Sequence, residues 1–291
     1  MSLAEGPPDL PYPKLPFWDT VSLSYSTYFS HFIDALRASW LWLIAVAALT
    51  AVASWQQSSW MATAMTNLKP GVAPQMPKPT EMAVLLNLAN IFLLLAGVSI
   101  AVAWHRLMIL DERPGFSGSN VATKNVWRYI GIGILICLIV LLPAVATILP
   151  LAASTGLLPL GSLVPVAVLI LILCLVGITA LRLSLLLPAR AVGDLSLTLK
   201  QTWVRTRGNA WRLFWGMVAT TVPPSLVVQI AFLLGVGPPD PATFASGDFA
   251  ARMTALSTIF NIYYLLMLPI GIGFLSHAYR HFFQAPLEFA E

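Results

Sequence analysis

The chain has 291 residues, of which 58% are hydrophobic and only 10% are charged. A soluble domain carries about 25% charged residues, so this composition excludes an ordinary water-soluble fold. The net charge of +4 reflects a small excess of basic residues. Their distribution along the chain is that of a protein oriented in a membrane, so we expect no nucleic-acid partner.

The first 38 residues form a segment of their own, which we expect on the cytoplasmic side of a membrane. After a proline-rich start, apolar side chains recur at helical spacing, with polar residues mostly on the other face. This pattern is typical of a helix that lies in the membrane interface. The apolar positions are Trp18, Val21, Tyr25, Tyr28, Phe29, Phe32 and Leu36. We therefore predict an interfacial amphipathic helix within residues 1–38.

Six apolar runs follow, and most are long enough to cross a hydrocarbon core of ~30 Å, which takes about 20 helical residues. The runs are continuous rather than alternating, so they predict helices and not barrel strands. They cover residues 39–55, 82–110, 129–149, 163–187, 213–234 and 254–276. The prediction is an all-α polytopic membrane protein, with one six-helix domain over residues 39–283 and a short tail over residues 284–291.

The distribution of Lys and Arg predicts the orientation. If the amino terminus lies in the cytoplasm, the outside loops hold only Lys69, Lys78 and Arg252 of the 16 basic residues. Cytoplasmic loops carry such an excess of basic residues, and this bias orients the chain. We therefore expect both termini in the cytoplasm, with basic side chains near the anionic headgroups of the inner leaflet.

The chain also divides into three similar units, each with a cytoplasmic stretch, an outward crossing and a return. The second and third cytoplasmic stretches are residues 120–131 and 195–214. The returning helices end alike, since Arg106, Arg182 and Arg280 take similar places in AWHRLMILDE, ALRLSLLLPAR and HAYRHFFQAP. Repeats are common in membrane proteins, so we predict a triplicated helical hairpin with a pseudo-threefold arrangement. Interface rules alone are the alternative source of the likeness.

Two features inside the runs bear on function. Pro223 and Pro224 adjoin in the fifth run, and proline removes a helix hydrogen bond, so we predict a kink or a break there. A broken membrane helix can expose backbone groups to a substrate, although a packing kink is the commoner outcome.

The polar side chains deep within the apolar runs include the amides Asn87, Asn90, Gln229 and Asn261. We interpret these amides as hydrogen bonds between helices, and alternatively as the lining of a cavity.

Candidates for chemistry are few. His105 and His277 fall at comparable depth on two returning helices, as a bis-His haem or metal site would require, but interface histidines beside arginine are the simpler interpretation. Residues 115–118, GFSG, match the GxSG of rhomboid-type membrane proteases, yet they follow charged residues in a short loop rather than heading a helix. No phosphate-binding, HExxH or dinucleotide motif occurs. We expect no catalytic residue, metal or cofactor, and hence no enzyme.

One resemblance is carried by residues 182–214, RLSLLLPARAVGDLSLTLKQTWVRTRGNAWRLF. An Arg-bearing helix end, Leu187-Pro188-Ala189, a short loop and a Trp/Arg/Gly-Asn helix make this stretch similar to YciC-type inner-membrane proteins. It is also similar to the membrane domain fused to some glycerophosphodiester phosphodiesterases, and residues 104–112 resemble that family's earlier return. The resemblance implies a six-helix protein of the bacterial inner membrane, whose role is poorly known. The chain has no room for the soluble phosphodiesterase domain, so no catalytic residue is carried over.

The leading functional hypothesis is non-catalytic: a scaffold, an assembly factor or an accessory subunit of a membrane complex. Its partners would be membrane lipids, a membrane protein or a second copy of the chain. The residues expected to contact headgroups or a partner are Arg106, Arg182, Arg205, Arg207 and Arg280. The alternative hypothesis is a carrier or channel for a lipid or small amphiphile, which would use the Pro223-Pro224 break and the membrane amides.

Overall fold

The computed structural model describes residues 13–66, 79–115, 123–154, 164–236 and 247–284. All regular structure among these residues is helical, which confirms the predicted all-α class. The helices are α1 (Phe17–Ser30), α2 (Phe32–Thr66), α3 (Pro79–Leu110), α4 (Lys124–Ser154), α5 (Val164–Ser184), α6 (Leu186–Ala191), α7 (Leu199–Arg205), α8 (Ala210–Val236) and α9 (Gly247–Tyr279), and a π-helical turn, Arg280–Gln284, continues α9.

Six stretches of these helices are long and apolar enough to cross a membrane. They are Phe32–Met61, Val84–Leu110, Lys124–Ile148, Ala167–Ala191, Ala210–Gly235 and Asp248–Gln284. The protein is thus built as a multi-pass membrane protein. Most stretches outrun the predicted apolar runs, because the helices continue through polar residues at their ends. At the start of α2, for example, Asp34 and Arg37 form an ion pair one helical turn apart.

The contacts between the spanning helices follow a cyclic order. Helix α2 packs on α3, α3 on α4, α4 on α5, α5 on α8, α8 on α9, and α9 returns to α2. The three predicted hairpins, α2/α3, α4/α5 and α8/α9, are therefore each formed and are neighbours in turn. The packing is unequal, however, because α9 also contacts α3 and α1. Of the most apolar part of each span, 44% is buried in α9 against 6% in α8.

Close approach of α8 and α9 depends on two glycines. A Cβ atom at Gly216 of α8 would come within 2.1 Å of the Phe274 ring of α9. A Cβ atom at Gly271 of α9 would come within 2.9 Å of the Thr221 side chain of α8. Both distances are too short for a real contact, so each glycine lets the facing side chain enter the helix surface, as small residues do in membrane helix packing.

Helix α1 is the helix predicted before the first crossing, and only part of its predicted apolar face is buried within the protein. Thr20, Val21, Ser24 and Tyr28 are buried, whereas Trp18 and Phe29 are 75% and 68% exposed. The helix packs on α8 and α9, where a Cβ atom at Gly273 would lie 3.9 Å from Ser24, in ordinary van der Waals contact. The Ser24 hydroxyl donates to the Thr20 carbonyl, which removes the cost of its burial. Packing against protein, and not lipid, thus selects the inner face.

Helix α8 contains both Pro223 and Pro224 and runs unbroken from Ala210 to Val236, so the predicted break is wrong. Proline at position 223 has no N–H for the carbonyl of Ala219, one turn earlier. The hydroxyl of Tyr25 in α1 donates to that carbonyl at 2.9 Å. Helix α1 therefore replaces the hydrogen bond that Pro223 removes, and α8 does not need to open.

Candidate functional site

Three arginines tie the hairpins together at one end of the molecule. Arg106 donates a hydrogen bond to the Ala191 carbonyl at 3.1 Å. Arg182 donates to the Trp203 carbonyl, and Arg280 donates to the Met108 carbonyl at 3.4 Å. The first hairpin thus reaches the second, the second reaches the helix that precedes the third, and the third reaches the first. We call this closed set of contacts the arginine cycle.

The acceptors of the arginine cycle lie in the last turns of helices. Ala191 ends α6, Trp203 lies near the end of α7, and Met108 is in the final turn of α3. The last carbonyls of a helix have no intrahelical partner and carry partial negative charge. A cation there stabilises the helix end by about 0.3–1 kcal/mol when the site is exposed. The similar positions of these arginines in the sequence therefore reflect similar capping roles.

Arg182 and Arg106 make further contacts through their guanidinium groups, and Arg205 makes a similar bond. The Arg182 guanidinium stacks 3.5 Å above the centre of the Trp203 ring, and its Nε donates to Thr206 at 2.9 Å. Arg106 forms an ion pair with Glu112 at 2.6 Å. Arg205, a fourth predicted contact residue, donates to the Phe282 carbonyl at 3.3 Å.

Four of the five predicted arginines thus donate hydrogen bonds within the protein, while their contact with headgroups or a partner stays a prediction. The fifth, Arg207, is exposed, and its side chain has no hydrogen bond among the described residues. Other exposed basic side chains lie at the same end of the molecule, namely Lys14, Arg113, Lys124 and Lys200. Exposed tryptophans accompany them: Trp18, Trp127, Trp203, Trp211 and Trp215. A basic, tryptophan-rich end is typical of a protein surface at the headgroup level of a membrane.

Asp194 joins the second and third hairpins, and the sequence analysis did not single it out. Its carboxylate accepts hydrogen bonds from the Tyr279 hydroxyl at 3.0 Å and from Ser196. Burial alone would raise the pKa of this carboxyl, but the bonds from Ser196 and Tyr279 and the nearby Arg190 outweigh burial and hold the pKa below its ordinary value. The sequence Gly-Asp-Leu-Ser at residues 193–196 indicates the local part of this arrangement, since an aspartate two residues before a serine favours a side-chain turn.

A second tie holds the segment before α1. The buried side chain of Asn209 accepts from the Leu15 N–H at 2.9 Å and donates to the Pro13 carbonyl. Arg212 donates to the Leu15 carbonyl at 2.6 Å. These bonds join the chain ahead of α1 to the start of α8, so α1 is held on α8 at both its beginning and, through Tyr25, its middle.

His105 and His277 have different surroundings. His105 is fully buried, and its Nδ1 lies 2.8 Å from the Ser276 hydroxyl. That hydroxyl donates to the Ile272 carbonyl, so we assign the proton to Nδ1 of His105, leaving Nε2 to face the Tyr129 hydroxyl at 3.5 Å. His277 instead lies 3.4 Å from Thr27 of α1. Within the described ranges, no three His, Cys, Asp or Glu side chains group as a metal site would require.

The four predicted membrane amides do not join helices in the described structure. Asn87, Asn90 and Gln229 are exposed and make no side-chain hydrogen bond to another described residue. Asn261 donates to the Ser257 carbonyl in its own helix. The interpretation as interhelical bonds is therefore wrong for the described residues. The sequence predicts how deep in the membrane a residue lies. It does not predict which face of a helix packs against its neighbours, because that depends on tertiary packing. Ser257 and Ser54 instead join α9 to α2, at 2.7 Å.

A cavity of about 540 Å³ opens at the basic end between α1, the last turn of α3 and the end of α9. Its polar lining consists of Thr27, His31, Asp111, His277 and Arg280. Its apolar lining consists of Leu23, Leu107, Met108, Ile109 and Leu110. Of these residues, only Arg280 was a predicted contact. His277 was considered only as a haem or metal ligand, and the others were missed because they come from three distant parts of the chain.

Comparison of the chain with protein-family models, with curated proteins and with solved structures gives no match in any of the three. The six long apolar helices define the class: a polytopic helical membrane protein.

Proposed function

We propose that this protein acts without catalysis in the bacterial inner membrane, as a scaffold, an assembly factor or an accessory subunit of a membrane complex, with both termini in the cytoplasm. The observation that carries the proposal is the pair of exposed amides, Asn87 and Asn90, in the third turn of α3 and the next. They lie three residues apart and so share a face of the helix. Exposed apolar neighbours, Val84, Leu88 and Ile91, surround them.

An amide on an apolar helix face inside a membrane is costly unless a partner satisfies it. A helix of another protein, or of a second copy, would supply that partner, and polar side chains of this kind do join membrane helices. Gln229 repeats the arrangement on α8, where it is exposed beside Leu226 and Ile230. The molecule therefore combines an end held together by the arginine cycle with outward-facing amides that suit assembly.

Orientation and location rest on further support. All but three of the 16 basic residues fall in the predicted inside segments, as the positive-inside rule requires. The similarity of residues 182–214 to YciC-type proteins points to the same membrane. The arginines are poor targets for a partner test, because four of them hold the protein itself together.

The test replaces Asn87 and Asn90 together by leucine and measures which proteins remain bound after gentle extraction, by native mass spectrometry. Each interhelical side-chain hydrogen bond contributes about 0.6 kcal/mol, so the loss of two weakens the assembly roughly sevenfold. Asn261→Leu is the matched control, since that amide bonds within its own helix. A partner complement that is unchanged in the double variant, or reduced equally by the control, contradicts the proposal.

A carrier for a lipid or small amphiphile is the second candidate, and the cavity at the basic end favours it. Cavities of ~300–1,000 Å³ are typical of small-molecule sites, and this one combines charged and apolar lining. Purified protein in liposomes would then move a labelled amphiphile between leaflets, and a rate equal to that of protein-free liposomes would exclude this function.

A further inference from the structure

The cavity at the basic end carries two opposite charges that do not neutralise each other. Asp111 and Arg280 both line it, yet the two side chains form no ion pair, and Asp111 has no ion-pair partner anywhere among the described residues. Opposite charges that share a cavity but stay apart leave space for a ligand that carries both charges. The cavity therefore suits a zwitterion better than a simple anion or cation.

The positive side is formed by the end of α9. Arg280 is exposed and uses one N–H group on the Met108 carbonyl, at 3.4 Å, while a guanidinium has five N–H donors. No second hydrogen bond joins Arg280 to a described residue, so its remaining donors can form the charge-assisted bonds that arginine makes with phosphate. Thr27 and His277 line the same side, 3.4 Å apart. Arg280 begins a π-helical turn, a geometry that is frequent at functional sites.

The negative side is formed by the end of α3. Asp111 follows the last helical residue and has a φ of 56°, a left-handed conformation that aspartate tolerates better than most residues. Its N–H bonds the Leu107 carbonyl, which closes the helix. The remaining carbonyls of the final turn carry the partial negative charge of a helix C-terminus. The carboxylate and the helix end together favour a cationic group at this position.

The apolar lining and the location complete the match. Leu23 and Leu110 are 49% and 43% exposed, so the cavity has an apolar margin toward the surroundings of the bundle. A molecule bound here would have its charged group in the cavity and its apolar part along the outer surface of α1 and α3.

We infer that the cavity binds the headgroup of a phospholipid with a primary ammonium group, of the phosphatidylethanolamine class. The phosphate lies at Arg280, the ammonium donates to Asp111 and the end of α3, and the acyl chains follow Leu23 and Leu110. The site stands apart from the proposed scaffold role, because it lies at the basic end and uses none of the membrane amides. Loss of the lipid and loss of a partner are therefore separate results.

The test is a competition in detergent between phosphatidylethanolamine and phosphatidylglycerol with identical chains, with bound lipid counted on the full chain by native mass spectrometry. Wild-type protein should hold one phosphatidylethanolamine with about tenfold preference, the ratio expected for one hydrogen bond to a charged group. Asp111→Asn should abolish the preference by lowering phosphatidylethanolamine binding alone. Asparagine also tolerates the left-handed backbone, so the fold is kept. Arg280→Lys should weaken binding of both lipids, because lysine cannot form the bidentate contact.

Asp19→Asn is the matched control, since Asp19 is exposed on α1 and outside the cavity. Equal affinity of the wild type for both lipids, or the same change in the Asp19 and Asp111 variants, would overturn the inference. Water-soluble glycerophosphoethanolamine forms the last arm of the experiment. If it displaces the lipid at equal concentration, the site belongs to a soluble headgroup and the lipid assignment is wrong; failure to displace supports the part assigned to the acyl chains.

Discussion

At the scale of single residues, side chains of one helix satisfy the backbone of another. Tyr25 of α1 donates to the Ala219 carbonyl of α8, which Pro223 leaves without a partner. Burial, with a smaller effect of Tyr263, raises the pKa of Tyr25 above its ordinary value, so the hydroxyl keeps the proton that it donates. Arginines do the same at helix ends in the arginine cycle. The polar side chains at the basic end thus mainly complete hydrogen bonds of the main chain.

The Tyr25–Ala219 bond predicts a specific loss of stability. Tyr25→Phe keeps the ring and leaves the carbonyl unsatisfied, which costs about 1–3 kcal/mol and lowers the midpoint of thermal unfolding in detergent. Tyr264→Phe is the control, because its side chain is 47% exposed and makes no hydrogen bond to another described residue. Pro223→Ala returns an N–H to the Ala219 carbonyl, so Tyr25→Phe should cost much less in that background. An equal cost in both backgrounds would contradict the assigned role of Tyr25.

At the scale of elements, the position of each helix depends on the size of the side chains that face it. Helix α9 is the most buried span, with Gly271 and Gly273 facing α8, α1 and α3. Helix α1 fits against it through Thr20, Ser24 and the buried Tyr28, whereas Trp18 and Phe29 stay exposed. Hydrophobicity therefore places a helix in the membrane, but small residues decide which of its faces meets another helix.

The contact of Gly216 with Phe274 predicts that alanine is harmful at one glycine and harmless at another. Gly216→Ala gains helix propensity but places a methyl group within 2.1 Å of the ring, and such overpacking costs about 1–3 kcal/mol. Gly133→Ala is the control, since nothing lies within 4 Å of a Cβ atom there, and it should be neutral or stabilising by up to about 1 kcal/mol. Thermal unfolding of both variants in detergent makes the comparison. Equal midpoints would show that the close packing of α8 on α9 is not needed for stability.

At the scale of the whole molecule, most of the described polar contacts between distant segments lie at the basic end. The arginine cycle and Asp194 join different hairpins there, and Asn209 ties the segment ahead of α1 to the start of α8. Toward the other end the described contacts are chiefly apolar, with the Ser257–Ser54 bond between α9 and α2. The outward-facing amides and weakly buried spans α5 and α8 lie in the membrane part, where a partner could cover them.

The orientation of the whole molecule has a direct test. A fluorescent protein that folds only in the cytoplasm should fluoresce when fused after Glu291, because six crossings return the chain to the side on which it began. The same reporter fused after Gly235, behind five crossings, should stay dark, whereas alkaline phosphatase should be active there. Phosphatase activity after Glu291 would overturn the assignment of both termini to the cytoplasm.

The sequence predicted the spans well because burial in a bilayer demands long apolar helices with all backbone groups paired internally. It predicted the positions of Arg106, Arg182 and Arg280 at equivalent helix ends, but their partners are carbonyls of other hairpins, which no local pattern reveals. Of the kink or break that it predicted at Pro223 and Pro224, the break is wrong, since the compensating hydroxyl of Tyr25 lies almost 200 residues away. The cavity was missed for the same reason, because its lining comes from α1, α3 and α9.

Composition and hydropathy by themselves determined that this protein is all-helical, with six helices long and apolar enough to cross a membrane, because these properties depend only on local apolar length and on backbone pairing. Tertiary structure decided which helix faces pack against one another. It turned Asn87, Asn90 and Gln229 outward, kept α8 continuous, and placed Asp111 and Arg280 in one cavity without an ion pair. In a membrane nearly every helix face is apolar, so hydrophobicity cannot distinguish lipid from protein as a neighbour, and side-chain size and hydrogen bonding across helices make that choice.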